Sequence, residues 1–143
     1  MTNSSISDRA RALATFCDIE PEDVKADDYA PHCFKAAGHD WLVLTEEEAD
    51  NATGEYIQES VWAFNADFIA DHANLPREAV DMIKGFQEAK SESANEVIAS
   101  LIERGDGMKA FIEDAISADG RGHFLATYDG NENEEGDFLL YRV

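Results

Sequence analysis

Apolar residues recur at helical spacing over most of the chain. Ser7 is placed to cap a first helix in which Ala10, Leu13, Ala14 and Cys17 share one face. Residues 1–6 precede it as a frayed terminus, and the acidic stretch Asp18–Asp28, with Pro21, reads as a connection. Thr45 and Glu48 form an S/T-x-x-E capping box. They open a helix predicted to run to about Phe64, with Ala49, Thr53, Tyr56, Ile57, Ser60, Val61 and Phe64 inward. Asn65 caps a short continuation carrying Phe68 and Ile69. Pro76 suits the first turn of a further helix, with Ala79, Val80, Ile83 and Phe86 inside. Ser93 and Glu96 make a second capping box, ahead of Ala94, Val97, Ile98, Leu101 and Ile102. Gly105 then serves as a C′ glycine, and Asp106 opens a helix burying Met108, Phe111, Ile112, Ala115 and Ile116, which Asp119-Gly120 terminates.

Two regions read as strands instead. His32–Lys35 and Trp41–Leu44 flank the loop Ala36–Asp40, and His123–Tyr128 and Phe138–Arg142 bracket a polar loop. The order hairpin, helices, hairpin predicts an α+β fold. A small antiparallel sheet of two β-hairpins, three to four strands in all, packs against four to five helices in a single domain spanning 1–143.

Charge changes the picture more than composition does. Hydrophobic residues make up 44% of the 143, enough for a proper core, yet 31 Asp and Glu face only 11 Lys and Arg, a formal net charge of −20. Such a surface repels phosphates and anionic lipids, so direct nucleic-acid or membrane binding is not expected. No apolar run approaches the ~20 residues of a membrane span. No leader precedes Cys17 and Cys33, so the expectation is a cytoplasmic setting with free thiols.

Chemistry-bearing motifs are sparse. Asp129, Asn131 and Asn133 begin like a calcium loop, but the sixth position is Glu134 where glycine is needed, and the twelfth is Leu140 where a bidentate Glu is needed. His32, Cys33 and His39 lie on one hairpin without paired zinc-ligand spacing. Neither a nucleophile motif nor a phosphate loop is present, and no cofactor or metal is assigned. If the chain were instead a small enzyme or metal-dependent protein, His123, Tyr128 and Asp129 would be its first residues, grouped near one hairpin end. A third reading is a structural or assembly module pairing through Trp62 or a free strand edge, with the oligomeric state open.

Trp62 is the more informative residue. On a continuous helix from Thr45 it projects opposite the apolar stripe, among Glu48, Asn51, Glu55, Gln58 and Glu59, unless the helix breaks before it. An aromatic in an acidic field suits a protein-binding surface. The candidate contact residues are Glu48, Glu55, Glu59, Trp62, Asp129, Glu132, Glu134, Glu135 and Asp137. Against this stands the bland account of halophilic adaptation or solubility.

Three segments carry a resemblance: Trp41–Asp50 (WLVLTEEEAD), Glu55–Ile69 (EYIQESVWAFNADFI), and Arg121–Gly130 (RGHFLATYDG) with the closing Tyr141-Arg142. Together they resemble a group of small hypothetical proteins of bacteriophages and mobile elements. The resemblance implies an origin, a phage or prophage accessory protein acting in a bacterial cytoplasm, and transfers no catalytic or binding residue. With the charge, it makes the leading expectation a non-enzymatic accessory protein that binds a host protein, as DNA-mimicking inhibitors of restriction or CRISPR systems do.

Overall fold

The computed structural model describes residues 6–89 and 92–143; residues 1–5, expected to fray, lie outside that range. The fold is α+β, with seven helices and one five-stranded antiparallel sheet among the described residues. The chain divides into two compact units. One comprises the chain up to Thr53 together with Asp119–Val143, and the other is Gly54–Ala118.

The first unit is built on the sheet. Its strands are β1 (Lys25–Ala26), β2 (Cys33–Ala36), β3 (His39–Leu44), β4 (Asn133–Glu135) and β5 (Phe138–Arg142), in the order β1-β2-β3-β5-β4. Helix α1 (Asp8–Cys17), capped by Ser7 Oγ accepting from Ala10 N at 3.1 Å, covers one face. There Ala10 and Leu13 pack against Phe34, Ala36, Trp41, Val43 and Leu140. The opposite face is also buried: Leu44, Leu139 and Tyr141 meet Ala49 of α2 (Glu46–Glu59) and Leu125 of α7 (Arg121–Leu125). Two covered faces explain why Trp41–Leu44 and Phe138–Tyr141 are unbroken apolar runs. A sheet wet on one side would alternate.

The sheet departs from expectation in three ways. The β2–β3 loop contracts from five residues to Ala37-Gly38, both left-handed (φ +54° and +79°), the pattern of a type I′ turn. Lys25–Ala26, within the expected connection, pairs with Phe34–Lys35 as an edge strand. The largest correction concerns His123–Tyr128, which is not a strand. Residues 121–125 are helical, and β5 pairs instead with Asn133–Glu135, inside the supposed polar loop, across Gly136-Asp137. Phe124, Leu125 and Ala126 are buried in succession, which no single strand face explains. Gly122 also runs so close to the backbone of residues 130–132 that a Cβ would lie 2.6 Å from Gly130 O. The sheet is therefore larger than the expected three to four strands, and the helices outnumber the expected four to five.

The second unit is helical. α2 ends at Glu59, short of the predicted Phe64, and Val61–Ala63 forms a 3-10 turn. Then follow α3 (Ala66–His72), a 3-10 turn at Arg77–Ala79, α4 (Val80–Ala89), α5 (Glu92–Arg104) and α6 (Met108–Asp119). Asn65 caps α3 by accepting from Asp67 N and Phe68 N. Pro76 precedes the 3-10 turn and so does not begin α4, and Ser93 lies in the first turn of α5. Ile57, Ile69, Ile83, Ile98, Ile102 and Phe111 are fully buried, whereas Val97, expected inside, is exposed. Phe64, Phe68 and His72 pack their rings around Phe111. Gly105 follows α5 as expected, but for a different reason. A Cβ there would lie 2.2 Å from His72 O, so close helix approach demands the glycine, and the left-handed residue is Gly107 (φ +96°).

Candidate partner-binding surface

Glu48, the first candidate, is engaged in holding the fold together. Arg9 Nη1 and Nη2 donate to its two carboxylate oxygens at 2.6 and 2.8 Å, and Thr45 N donates at 2.8 Å to complete the capping box. His32 Nε2 stands 3.5 Å away. The Arg9 hydrogen bonds, then the Thr45 amide, hold the Glu48 carboxyl down at about 2. Arg9 also donates to Val43 O, tying α1 to β3 and the start of α2.

Glu132 is committed in the same way. Arg121 Nε and Nη2 donate to it at 2.9 and 3.2 Å, the buried Tyr141 hydroxyl donates at 2.5 Å, and Arg121 Nη1 reaches Asp50 at 2.9 Å. Burial first, and the bond to Glu132 second, push the Tyr141 phenol far above its usual range. Arg121 is shielded, at 15% side-chain exposure, so this network holds α7 to α2 and to the sheet.

The other acids are free of cations. Glu55, Glu59, Asp129, Glu134, Glu135 and Asp137 enter no ion pair among the described residues. Asp129 Oδ1 only accepts from Asn131 N at 3.0 Å. Glu134 and Asp137, with Glu46, Glu132, Arg121, Phe138 and Leu139, line a cavity of about 390 Å³. The candidates divide between the units: Glu55, Glu59 and Trp62 lie in the helical one, the remainder in the sheet-based one.

Trp62 does not project from a continuous helix. Asn95 bridges the break, donating from Nδ2 to Gln58 O at 3.0 Å and accepting from Trp62 N at 3.1 Å. Trp62 is 37% exposed. His123, Tyr128 and Asp129 form no hydrogen-bonded group. His123 packs edge-on to Phe124, Arg142 lies 3.7 Å over the Tyr128 ring, and Asp129 closes its own turn. Among the described residues no cluster of three or more His, Cys, Asp or Glu is arranged to hold a metal ion, and no helix is long and apolar enough to cross a membrane. Cys17 and Cys33 are free.

The residues missed from sequence are the cations Arg9 and Arg121, whose partners lie 39 and up to 71 positions away, and Tyr29, the most exposed aromatic side chain among those described. No spacing rule pairs residues so far apart. Tyr29, however, carried a local signal, being an aromatic between Asp27-Asp28 and Pro31 that belongs to no apolar stripe. No protein-family model, curated protein or solved structure matches this chain.

Proposed function

We propose that the chain is a non-enzymatic polyanionic module that occupies the nucleic-acid-binding surface of a host protein in a bacterial cytoplasm, in the manner of a phage accessory protein. The observation carrying this reading is which acids are paired. Arg9 and Arg121, both shielded, hold Glu48, Asp50 and Glu132, whereas exposed carboxylates such as Glu55, Glu59, Glu134 and Asp137 enter no ion pair among the described residues. Both units are strongly negative. The sheet-based unit has 18 acids against 6 Lys and Arg, net −12, and the helical unit 13 against 5, net −8. A field of that sign draws in basic grooves and repels nucleic acid itself.

Capture from nuclease-treated bacterial lysate on the immobilised chain, at low and moderate salt, tests the reading. The expected result is retention of a nucleic-acid-binding protein that added DNA elutes. Recovery of no such protein at either salt would remove it.

A further inference from the structure

Tyr29 is 96% exposed, and among the described residues its side chain makes no hydrogen bond or ring contact. Its backbone, by contrast, is fixed. Asp27 Oδ1 accepts from Tyr29 N at 2.8 Å and from Ala30 N at 3.2 Å. Asp27 N donates to Cys33 O, and Cys33 N to Ala30 O, which fastens the loop to the edge of β2. Pro31 removes further freedom. The fold thus presents an aromatic ring on a preorganised turn and draws no packing from it. Around the ring in sequence stand Glu22, Asp23, Asp27 and Asp28, all exposed and none in an ion pair among the described residues.

Grooves that hold single-stranded nucleic acid use two things: cations along the backbone and π faces on which bases stack. Duplex DNA offers the phosphates but hides its base faces, so an imitation of duplex needs no projecting aromatic. A ring among carboxylates supplies both elements of the single strand. Resting on the polyanion reading above, the geometry points to Tyr29 as the stacking anchor for a protein groove that binds single-stranded nucleic acid. Its two-torsion side chain and fixed turn limit the entropy lost on docking. Met82, an exposed apolar side chain on α4 of the helical unit, is the natural comparison.

The test is displacement measured by fluorescence anisotropy. The full chain competes with labelled oligothymidylate on a purified single-strand-binding protein of the OB-fold class, and with labelled duplex on a purified helix-turn-helix repressor. The expected result is displacement of the single strand at lower concentrations than the duplex, with Tyr29→Ala raising the single-strand midpoint about tenfold, or about 1.4 kcal/mol, and Met82→Ala leaving it unchanged. Tyr29→Ala is expected to retain the wild-type thermal midpoint, since the ring contacts nothing. Equal displacement of both nucleic acids with Tyr29→Ala indistinguishable from wild type overturns the single-strand inference and leaves the polyanion reading standing. Displacement of neither at low salt overturns both.

Discussion

Glu48→Gln and Glu55→Gln change the net charge identically, yet the structure gives them opposite consequences. In a chain of net −20, losing any carboxylate relieves self-repulsion. Glu55 is exposed and unpaired, so Glu55→Gln is expected to be neutral or stabilising by a few tenths of a kcal/mol, about the scale of a surface change. Glu48 accepts two hydrogen bonds from Arg9 and one from Thr45, and its carboxyl lies at about 2, below the usual 4.5. Taken whole, that displacement is on the order of 3 kcal/mol. The Glu48 side chain remains 32% exposed, so solvent screening brings the expected loss to ~1–2 kcal/mol. The folded-state value is depressed, so this stability is fully present above the usual carboxylate range. It fades as pH falls from about 4.5 toward about 2. Urea unfolding of wild type and both variants at pH 7 and again near the bottom of the folded range measures it. The Glu48→Gln difference should shrink between the two, and an Arg9→Met/Glu48→Gln cycle at pH 7 should show coupling of ~1 kcal/mol or more. Equal effects of Glu48→Gln and Glu55→Gln, or a Glu48→Gln loss independent of pH, would refute the assignment of Glu48 to the fold.

Gly105→Ala drives a Cβ into the His72 carbonyl and should destabilise by ~3 kcal/mol, whereas Gly85→Ala, exposed in α4 with nothing within 4 Å, should stabilise by ~0.5–1 kcal/mol. Chemical denaturation of the two variants side by side checks the contrast. Cys17 and Cys33 have thiols raised by burial, Cys33 additionally by the charges of Asp27 and Asp40. Both should therefore react with an aromatic disulfide reagent more slowly than free glutathione at neutral pH, and faster once unfolded in urea. The thermal midpoint should rise with added sodium chloride, as screening weakens repulsion among the unpaired acids, and a flat response would contradict that account.

Much of the architecture was legible because local chemistry agreed with tertiary fate. Thr45 and Glu48 cap α2 reciprocally, Asn65 caps α3, and the 3-4 stripes mark α5 and α6. Errors arose where tertiary packing overrode the local pattern. Phe124, Ala126 and Tyr128 alternate like a strand, but the close approach of Gly122 to residues 130–132 turns the segment into a helix. The helix through Trp62 looked continuous because nothing local marks the break, which Asn95 stabilises from 33 positions away. Candidate acids were harder to sort, because carboxylates are alike in sequence. The capping box marks Glu48 locally, but nothing local shows that Arg9, distant along the chain, also reaches it while no such arginine reaches Glu59 among the described residues.

The most direct test of the polyanion account is calorimetric titration of the captured host protein with this chain, with and without saturating DNA. The account predicts mutual exclusion, with affinity falling steeply as salt rises. Unchanged affinity in saturating DNA, or binding indifferent to salt, would contradict it.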